Sequence, residues 1–220
     1  MATVLAIFLH ELGHAIACKY FGGKVEEIGF LLIFFSPALY CDVSGIWMFK
    51  NKREKIITLI AGIYVQLLIF ALCSITYSLY LNESTWLATF IIWNLLMVFS
   101  NILPVIKLDG YWILSNILEI PNLYEKSLKL ALGGNTEVLF DEKEFSKRRF
   151  IKIFGILNIS FVFISILVGV ISLYYLSITL EGTFKYVIII FETLMYSLIV
   201  IFFGIFLYKL ARQKSVHQKR

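Results

Sequence analysis

Residues 4–18 read VLAIFLHELGHAIAC, an almost entirely apolar stretch that contains three ionisable side chains, His10, Glu11 and His14. On a helix, residues four apart project from the same face, so the two imidazoles can bind one metal ion. Glu11 lies beside them, where a carboxylate can act as general base toward water. Ionisable side chains cost roughly 2.5–3.5 kcal/mol each on membrane-insertion scales, so their presence here indicates a function.

The composition is that of an integral membrane protein. Of the 220 residues, 60% are hydrophobic and 16% aromatic, and a soluble domain of this size would need far more polar surface. The formal net charge of +5 includes Lys and Arg clusters beside apolar runs, at 50–55, 143–152 and 209–220. This distribution follows the positive-inside rule, and it argues against nucleic acid as a partner.

Apolar runs of about 20 residues predict an all-α polytopic membrane protein with five spanning helices. Their approximate limits are 3–21, 56–80, 86–106, 150–177 and 185–208. If the N-terminus lies outside, the basic loops and tail lie in the cytoplasm. We therefore expect a multi-pass protein of the cell membrane, in bacteria the plasma membrane, whose active site faces the cytoplasm.

We predict one membrane domain over residues 1–220, without a separate soluble domain. Its catalytic core covers about 1–120, and an amphipathic and cytoplasmic connector covers about 121–149. Two C-terminal spanning helices at 150–208 and a basic tail at 209–220 complete the chain.

Residues 25–49 do not fit a simple span. They are apolar and aromatic, but Gly29, Pro37 and Gly45 interrupt them. This pattern predicts a β-hairpin-like segment that dips into the membrane from the cytoplasmic side. Backbone of this kind is tolerated at membrane depth only against protein or a wet cavity.

Residues 86–120 are too long for one span, and Pro104 with Asp109-Gly110 predicts a broken third helix. A short apolar helix is expected from about Tyr111 to Ile120. The segment 123–132 places Tyr124, Leu128 and Leu132 at steps of four residues, which predicts an amphipathic helix in the membrane interface.

A catalytic zinc site usually has three protein ligands and one open position. Because the remaining histidine, His217, lies in the basic tail, we expect a carboxylate as the third ligand. Asp109 is the best placed, since a helix break can aim a side chain at its neighbour. The sequence therefore predicts a Zn²⁺ site that joins Asp109 to the two histidines. The other acidic residues in or near the membrane are Asp42, Glu119 and Glu192.

Residues 101–110 read NILPVIKLDG, which together with HELGH at 10–14 resembles the site-2 protease family of intramembrane zinc metalloproteases. The resemblance covers roughly residues 5–120. It implies that His10, His14 and Asp109 bind zinc and that Glu11 is the catalytic base. It further implies that Asn101 contacts the substrate or the oxyanion. The segment 25–49 is similar to the family's membrane-dipping β segment, which can pair with an extended substrate.

The chain departs from the family pattern in the second helix. Here Ile63 follows Ala61-Gly62 in place of a common proline, and Gln66 stands where Asn is common. We expect these differences to affect helix packing more than the zinc site. Residues 36–44, SPALYCDVS, resemble a bacterial subgroup associated with peptide maturation.

Other polar residues of the predicted spans have structural explanations. We expect Asn94 and Asn158 to form interhelical hydrogen bonds, and Glu192 to be protonated or hydrogen-bonded to Asn158 or Gln66. A gate or a substrate-entry contact is the alternative for Glu192. The three cysteines give no disulfide framework, and Cys18 is expected to pack rather than to bind metal.

The function that we expect is zinc-dependent intramembrane endopeptidase activity on a membrane-anchored peptide or protein. Candidate substrates are a membrane-anchored regulator, a remnant signal peptide or a small peptide under maturation. Two other functions stay open: a metal-binding transporter whose ion path the same side chains line, and a non-proteolytic accessory subunit of a peptide export system. The sequence does not indicate an oligomeric state.

Overall fold

The structure is a computed structural model, and it describes residues 2–33, 36–81, 83–133 and 145–179, with separate positions between 185 and 205. The chain forms two compact units, Met1–Pro121 and Asn122–Arg220. Both are predominantly helical.

The first unit is built around one long helix. Its elements, in chain order, are α1 (Ala2–Tyr20), β1 (Ile28–Ile33), β2 (Ser36–Cys41), a 3₁₀ helix (Ser44–Met48), α2 (Lys52–Tyr80), α3 (Thr85–Ile102) and α4 (Asp109–Leu118). Helix α2 contacts α1, α3 and α4, so it is the central element of this unit. The two strands pair antiparallel, with Ile28 opposite Cys41 and Ile33 opposite Ser36.

The helix ends follow local sequence signals. Asn51 caps α2, because its side-chain oxygen accepts a hydrogen bond from the Arg53 amide at 3.1 Å. Helix α3 ends at Ile102, because Pro104 forces the preceding residue, Leu103, into an extended conformation. The break in the third helix was predicted, but the spanning helix ends about four residues earlier than the predicted limit of 106.

The second unit contains α5 (Leu123–Ala131) and α6 (Arg148–Thr179), which pack against each other. Gly155 of α6 permits the closest approach: a Cβ atom there would lie 2.1 Å from the carbonyl oxygen of Ser127. Leu128 is fully buried, whereas Leu132 is exposed. The helix predicted to lie in the membrane interface therefore buries much of its apolar surface against protein.

Four described helices, α1, α2, α3 and α6, are long and apolar enough to cross a membrane. Large apolar side chains cover their outward faces, as expected for contact with lipid. The chain is thus mostly helical, and its four long apolar helices, which match four of the five predicted segments in position, suggest a membrane protein. The fifth, at 185–208, falls where the structure describes only separate positions. Residues 134–144 of the predicted connector and the tail at 209–220 lie outside the described residues.

A small apolar core lies where α1, the 3₁₀ helix and α2 meet. It contains Cys18, Ile46, Phe49 and Leu59. The Cys18 thiol is completely buried there and donates a weak hydrogen bond to the Lys24 carbonyl oxygen at 3.7 Å. This placement agrees with the packing role expected for Cys18.

Asn158 of the second unit differs from expectation. It is buried, and its amide donates to the Phe154 carbonyl within its own helix at 2.7 Å rather than to another helix. One carboxylate oxygen of Glu192 is buried and has no hydrogen-bond partner among the described residues, so the role expected for this side chain stays a prediction.

Candidate functional site

Three of the predicted site residues meet in the first unit. His10 Nε2 lies 3.0 Å and His14 Nε2 lies 3.3 Å from the same atom, Asp109 Oδ2. The two imidazole nitrogens are 3.1 Å from each other. Both histidines are buried, at 6% and 5% exposure. The first turn of α4 therefore brings its carboxylate onto the two imidazoles of α1.

Helix α2 fixes the orientation of one imidazole. Nδ1 of His14 donates a hydrogen bond to the backbone carbonyl of Thr58 at 2.8 Å. In the neutral tautomer this leaves Nε2 without a proton and with its lone pair free. A backbone acceptor on one ring nitrogen is the usual way in which proteins prepare the other nitrogen for a metal.

Two glycines permit the close approach of helices around the three side chains. A Cβ atom on Gly62 of α2 would lie 2.4 Å from His14 Nε2 and 2.7 Å from His10 Nε2. A Cβ atom on Gly110 of α4 would lie 2.2 Å from the Ile102 carbonyl oxygen at the end of α3. Any larger residue at either position would displace a helix or an imidazole.

The donor set fits a zinc ion. Ligand atoms at about 2.0–2.1 Å from a tetrahedral zinc ion are separated from each other by about 3.3 Å, close to the three distances observed here. Burial raises the pKa of the Asp109 carboxyl, but its hydrogen bonds and charge interactions with His10 and His14 lower that pKa by a larger amount. The resulting pKa is about 2. The group is therefore a carboxylate, and its Oδ2 lies within 3.3 Å of both imidazole Nε2 atoms, a spacing that one cation can bridge.

Glu11 follows His10 on α1 and is partly buried. Its carboxylate faces the backbone amide of Cys41, the last residue of β2. Burial, followed by the nearby Glu11 charge, raises the pKa of the Cys41 thiol to about 11. The strand pair therefore lies beside the candidate base, whereas the depth of the strands in the bilayer stays a prediction.

Asn101 lies near the end of α3, at its contact with α2. Its side-chain Nδ2 donates a hydrogen bond to Oε1 of Gln66 at 3.0 Å. Its backbone carbonyl oxygen would lie 2.8 Å from a Cβ atom on Gly110, the residue after Asp109. The Asn101 main chain is thus adjacent to the start of α4.

Two of the other acidic candidates for the third ligand, Asp42 and Glu119, are engaged elsewhere. Asp42 accepts hydrogen bonds from the Ser44 amide and hydroxyl, and these interactions lower the pKa of its carboxyl. Glu119 forms an ion pair of 2.9 Å with Lys52. Among the described residues, the His10, His14 and Asp109 group is the one set of three possible metal-binding side chains whose ligand atoms all lie within 4.8 Å.

Sequence reasoning did not identify the part of α2 that supports the site. Thr58, Gly62 and Gln66 are spaced by four residues, so they form one stripe along the helix. In the sequence, this part of α2 stands out only because Ile63 and Gln66 depart from a family pattern. The four-residue spacing was visible in the sequence, but nothing there showed that this stripe faces the histidines.

The fold and the site define a mostly helical protein with four helices that could cross a membrane and a candidate His₂Asp metal centre. No protein-family model matches the chain. It is 28% identical over 118 residues to YydH of Bacillus subtilis, which carries the provisional name peptide zinc metalloprotease protein; the match covers 53% of this chain and 46% of YydH.

A second relative is zinc metalloprotease MJ0392 of Methanocaldococcus jannaschii. It is 30% identical over 132 residues, which are 58% of this chain and 36% of the relative. The matches therefore cover less than half the length of either relative. Their names support a zinc-dependent metalloprotease in general.

Proposed function

We propose that this protein is an intramembrane zinc endopeptidase of the site-2 protease type. The observation that carries the proposal is the convergence of Asp109 Oδ2 of α4 on the Nε2 atoms of His10 and His14. The two histidines lie beside a glutamate on α1, a helix apolar enough to cross a membrane. A buried group of this kind is costly in lipid, which argues for a function.

In this proposal, His10, His14 and Asp109 hold one zinc ion and leave one coordination position open. Zinc bound in this way supplies Lewis-acid chemistry, which polarises a carbonyl group and acidifies water. The Thr58 carbonyl keeps the His14 ring in its orientation. Gly62 provides the space that the imidazoles require.

Glu11 is the proposed general base. Its carboxylate takes the proton from the attacking water and gives it to the departing amine of the peptide. Its position directly after His10 on α1, and its contact with the Cys41 amide, hold it beside the metal ligands. Asn101 is proposed to contact the substrate carbonyl, where an amide donor stabilises the oxyanion.

The proposed substrate is a membrane-anchored peptide or protein in an extended conformation near the bilayer. The peptide bonds of a helix are engaged in its own hydrogen bonds, so a segment must unwind before it is cleaved. The proposed location is the bacterial plasma membrane, with the active site toward the cytoplasm. The reason is that the basic segments all follow or precede the predicted spans on one side of the membrane, which the positive-inside rule assigns to the cytoplasm. A maturing small peptide is one substrate of this class.

The decisive experiment compares wild type with Glu11→Gln in proteoliposomes, with quenched fluorescent single-span peptides as probes. Glu11→Gln keeps the shape of the side chain but removes its basicity. We expect zinc content to stay at the wild-type ratio while cleavage falls by about 100-fold or more. Glu83→Gln, the same substitution in the exposed loop before α3, is the matched control and keeps full activity.

Two results would replace this proposal with the alternatives. Zinc flux across the vesicle membrane, unaffected by Glu11→Gln and without peptide cleavage, identifies a transporter. Zinc-loaded wild type that neither cleaves any probe nor transports zinc identifies a non-proteolytic accessory protein.

A further inference from the structure

Three amide side chains, two buried and one partly buried, form hydrogen bonds between α2 and α3. Gln66 and Asn94 are each 1% exposed. Asn101 Nδ2 donates to the Gln66 side-chain oxygen at 3.0 Å. Asn94 Nδ2 donates to the Gln66 backbone carbonyl, also at 3.0 Å. Gln66 is thus bonded to α3 through both its side chain and its main chain.

Gln66 belongs to the same face of α2 as the groups that touch the histidines. Thr58 accepts from His14, and Gly62 lies against both imidazoles. Gln66 is one further step of four residues along this stripe, which is about 6 Å along the helix axis. The stripe of α2 that orients His14 therefore also contains the residue that forms a hydrogen bond with Asn101.

We propose that Gln66 is a positioning residue, which holds the Asn101 amide in the orientation required for catalysis; this inference rests on the proposed function above. A primary amide has two N–H bonds, and one of them points at Gln66 Oε1. This bond fixes the plane of the amide and prevents its reversal. The second N–H then has a defined direction in which it donates to a substrate carbonyl.

The energetic reason for such a support is preorganisation. An oxyanion donor stabilises the transition state only if it already points at the developing charge, and loss of one such donor costs roughly 100–1,000-fold in kcat. A donor whose orientation is not fixed by a neighbouring group loses part of this stabilisation of the transition state. Removal of Gln66 should therefore lower kcat without an equal change in KM.

The test uses Gln66→Leu, which keeps the approximate volume of the side chain and removes the acceptor oxygen. We expect its zinc content to equal that of wild type, its KM to stay within about twofold and its kcat to fall by about tenfold or more. Gln66→Glu retains an acceptor oxygen at the same distance along the side chain and should recover most of kcat. In an Asn101→Ala background, Gln66→Leu should cause no further loss.

Asn94→Leu is the matched control. It removes a buried amide from the same α2–α3 contact, at equal burial and with an equal hydrogen-bond length, but it does not touch Asn101. We expect a loss of thermal stability similar to that of Gln66→Leu, with kcat within about twofold of wild type. A purely structural role for Gln66 instead predicts equal kcat losses in the two variants, and that result would overturn the inference.

A measurement without substrate separates this inference from the proposed function. In ¹⁵N-labelled protein, the Asn101 side-chain amide should give two resolved, slowly exchanging N–H signals. These should collapse or shift in Gln66→Leu and stay in place in Asn94→Leu. Unchanged Asn101 signals in Gln66→Leu contradict the positioning role even if the enzyme is active. Wild type that holds zinc but cleaves nothing contradicts the proposed function, whatever the signals show.

Discussion

Gly62 of α2 lies directly against the His14 imidazole: a Cβ atom at this position would come within 2.4 Å of Nε2. Real Cβ atoms do not approach a nitrogen this closely, so a side chain here must displace either the imidazole or the helix. The absence of a side chain at Gly62 is therefore part of the site's geometry.

Gly62→Ala is expected to lose most of its zinc while it keeps its helical content. The added methyl group separates the imidazoles from the carboxylate rather than unfolding the spans. Zinc-to-protein ratios by mass spectrometry and circular dichroism test this outcome. Gly204→Ala is the control, because a Cβ atom there meets no described residue within 4 Å. Full zinc occupancy in Gly62→Ala would show that the site accommodates a methyl group.

Asp109→Asn should weaken zinc binding by more than about 100-fold, beyond the loss typical of a supporting residue. The amide keeps the shape of the side chain but removes the charge that faces both imidazoles at 3.0 and 3.3 Å. Competition with a fluorescent zinc chelator measures the affinity. Asp42→Asn changes an acid that hydrogen-bonds to Ser44 and should leave the affinity unchanged. Equal affinities in wild type and Asp109→Asn would remove Asp109 from the ligand set.

Zinc removal should lower both activity and thermal stability. An ion that binds only the folded state stabilises it by about 4 kcal/mol at a free concentration 1,000 times its Kd. Treatment with 1,10-phenanthroline should therefore abolish cleavage and lower Tm, and added Zn²⁺ should restore both. Mg²⁺ is the control ion, since two imidazoles and one carboxylate are a poor ligand set for it. A Tm that is insensitive to the chelator would contradict a folded-state zinc site.

Cys41 should react slowly with alkylating reagents at neutral pH. Its thiol is half-buried, and its pKa is raised to about 11 by burial and by the neighbouring Glu11 charge. The thiolate is the reactive form, so the rate should rise about tenfold per pH unit between pH 7 and 9 without reaching a plateau. Iodoacetamide labelling of a variant that retains only Cys41 measures the rate. A rate that levels off above about pH 9.5, as for an ordinary thiol with a pKa of about 8.5, would show that the thiol is free of these effects.

Much of the helical architecture was accessible from the sequence, because lipid imposes a length and a polarity on each span. The predicted limits of 56–80 compare with Lys52–Tyr80 for α2, and 86–106 compares with Thr85–Ile102 for α3. The errors lie at the ends, where a cap or a proline decides the boundary. Pro104 was recognised as a break, yet its effect on Leu103 ends the helix before the apolar run does.

The metal group was predicted because its residues carry a chemical signal: ionisable side chains in apolar surroundings. The structure brings Asp109 together with the two histidines, whereas metal binding by this group stays a prediction. The Thr58 carbonyl and Gly62 were not found, since a backbone acceptor and a missing side chain leave no such signal. Leu132 of the amphipathic segment shows a related limit of prediction from sequence. Its spacing predicts an apolar helix face, but tertiary packing decides which residues of that face are buried.

The group that orients His14 is a peptide carbonyl, and every amino acid at position 58 would supply one. Natural variation can therefore change the polarity of this side chain without disturbing the imidazole, provided that the replacement fits the completely buried space. Relatives that differ at this position should keep the same ring orientation. A sequence alignment alone would not show this contact, whereas a superposition of backbone structures would show it.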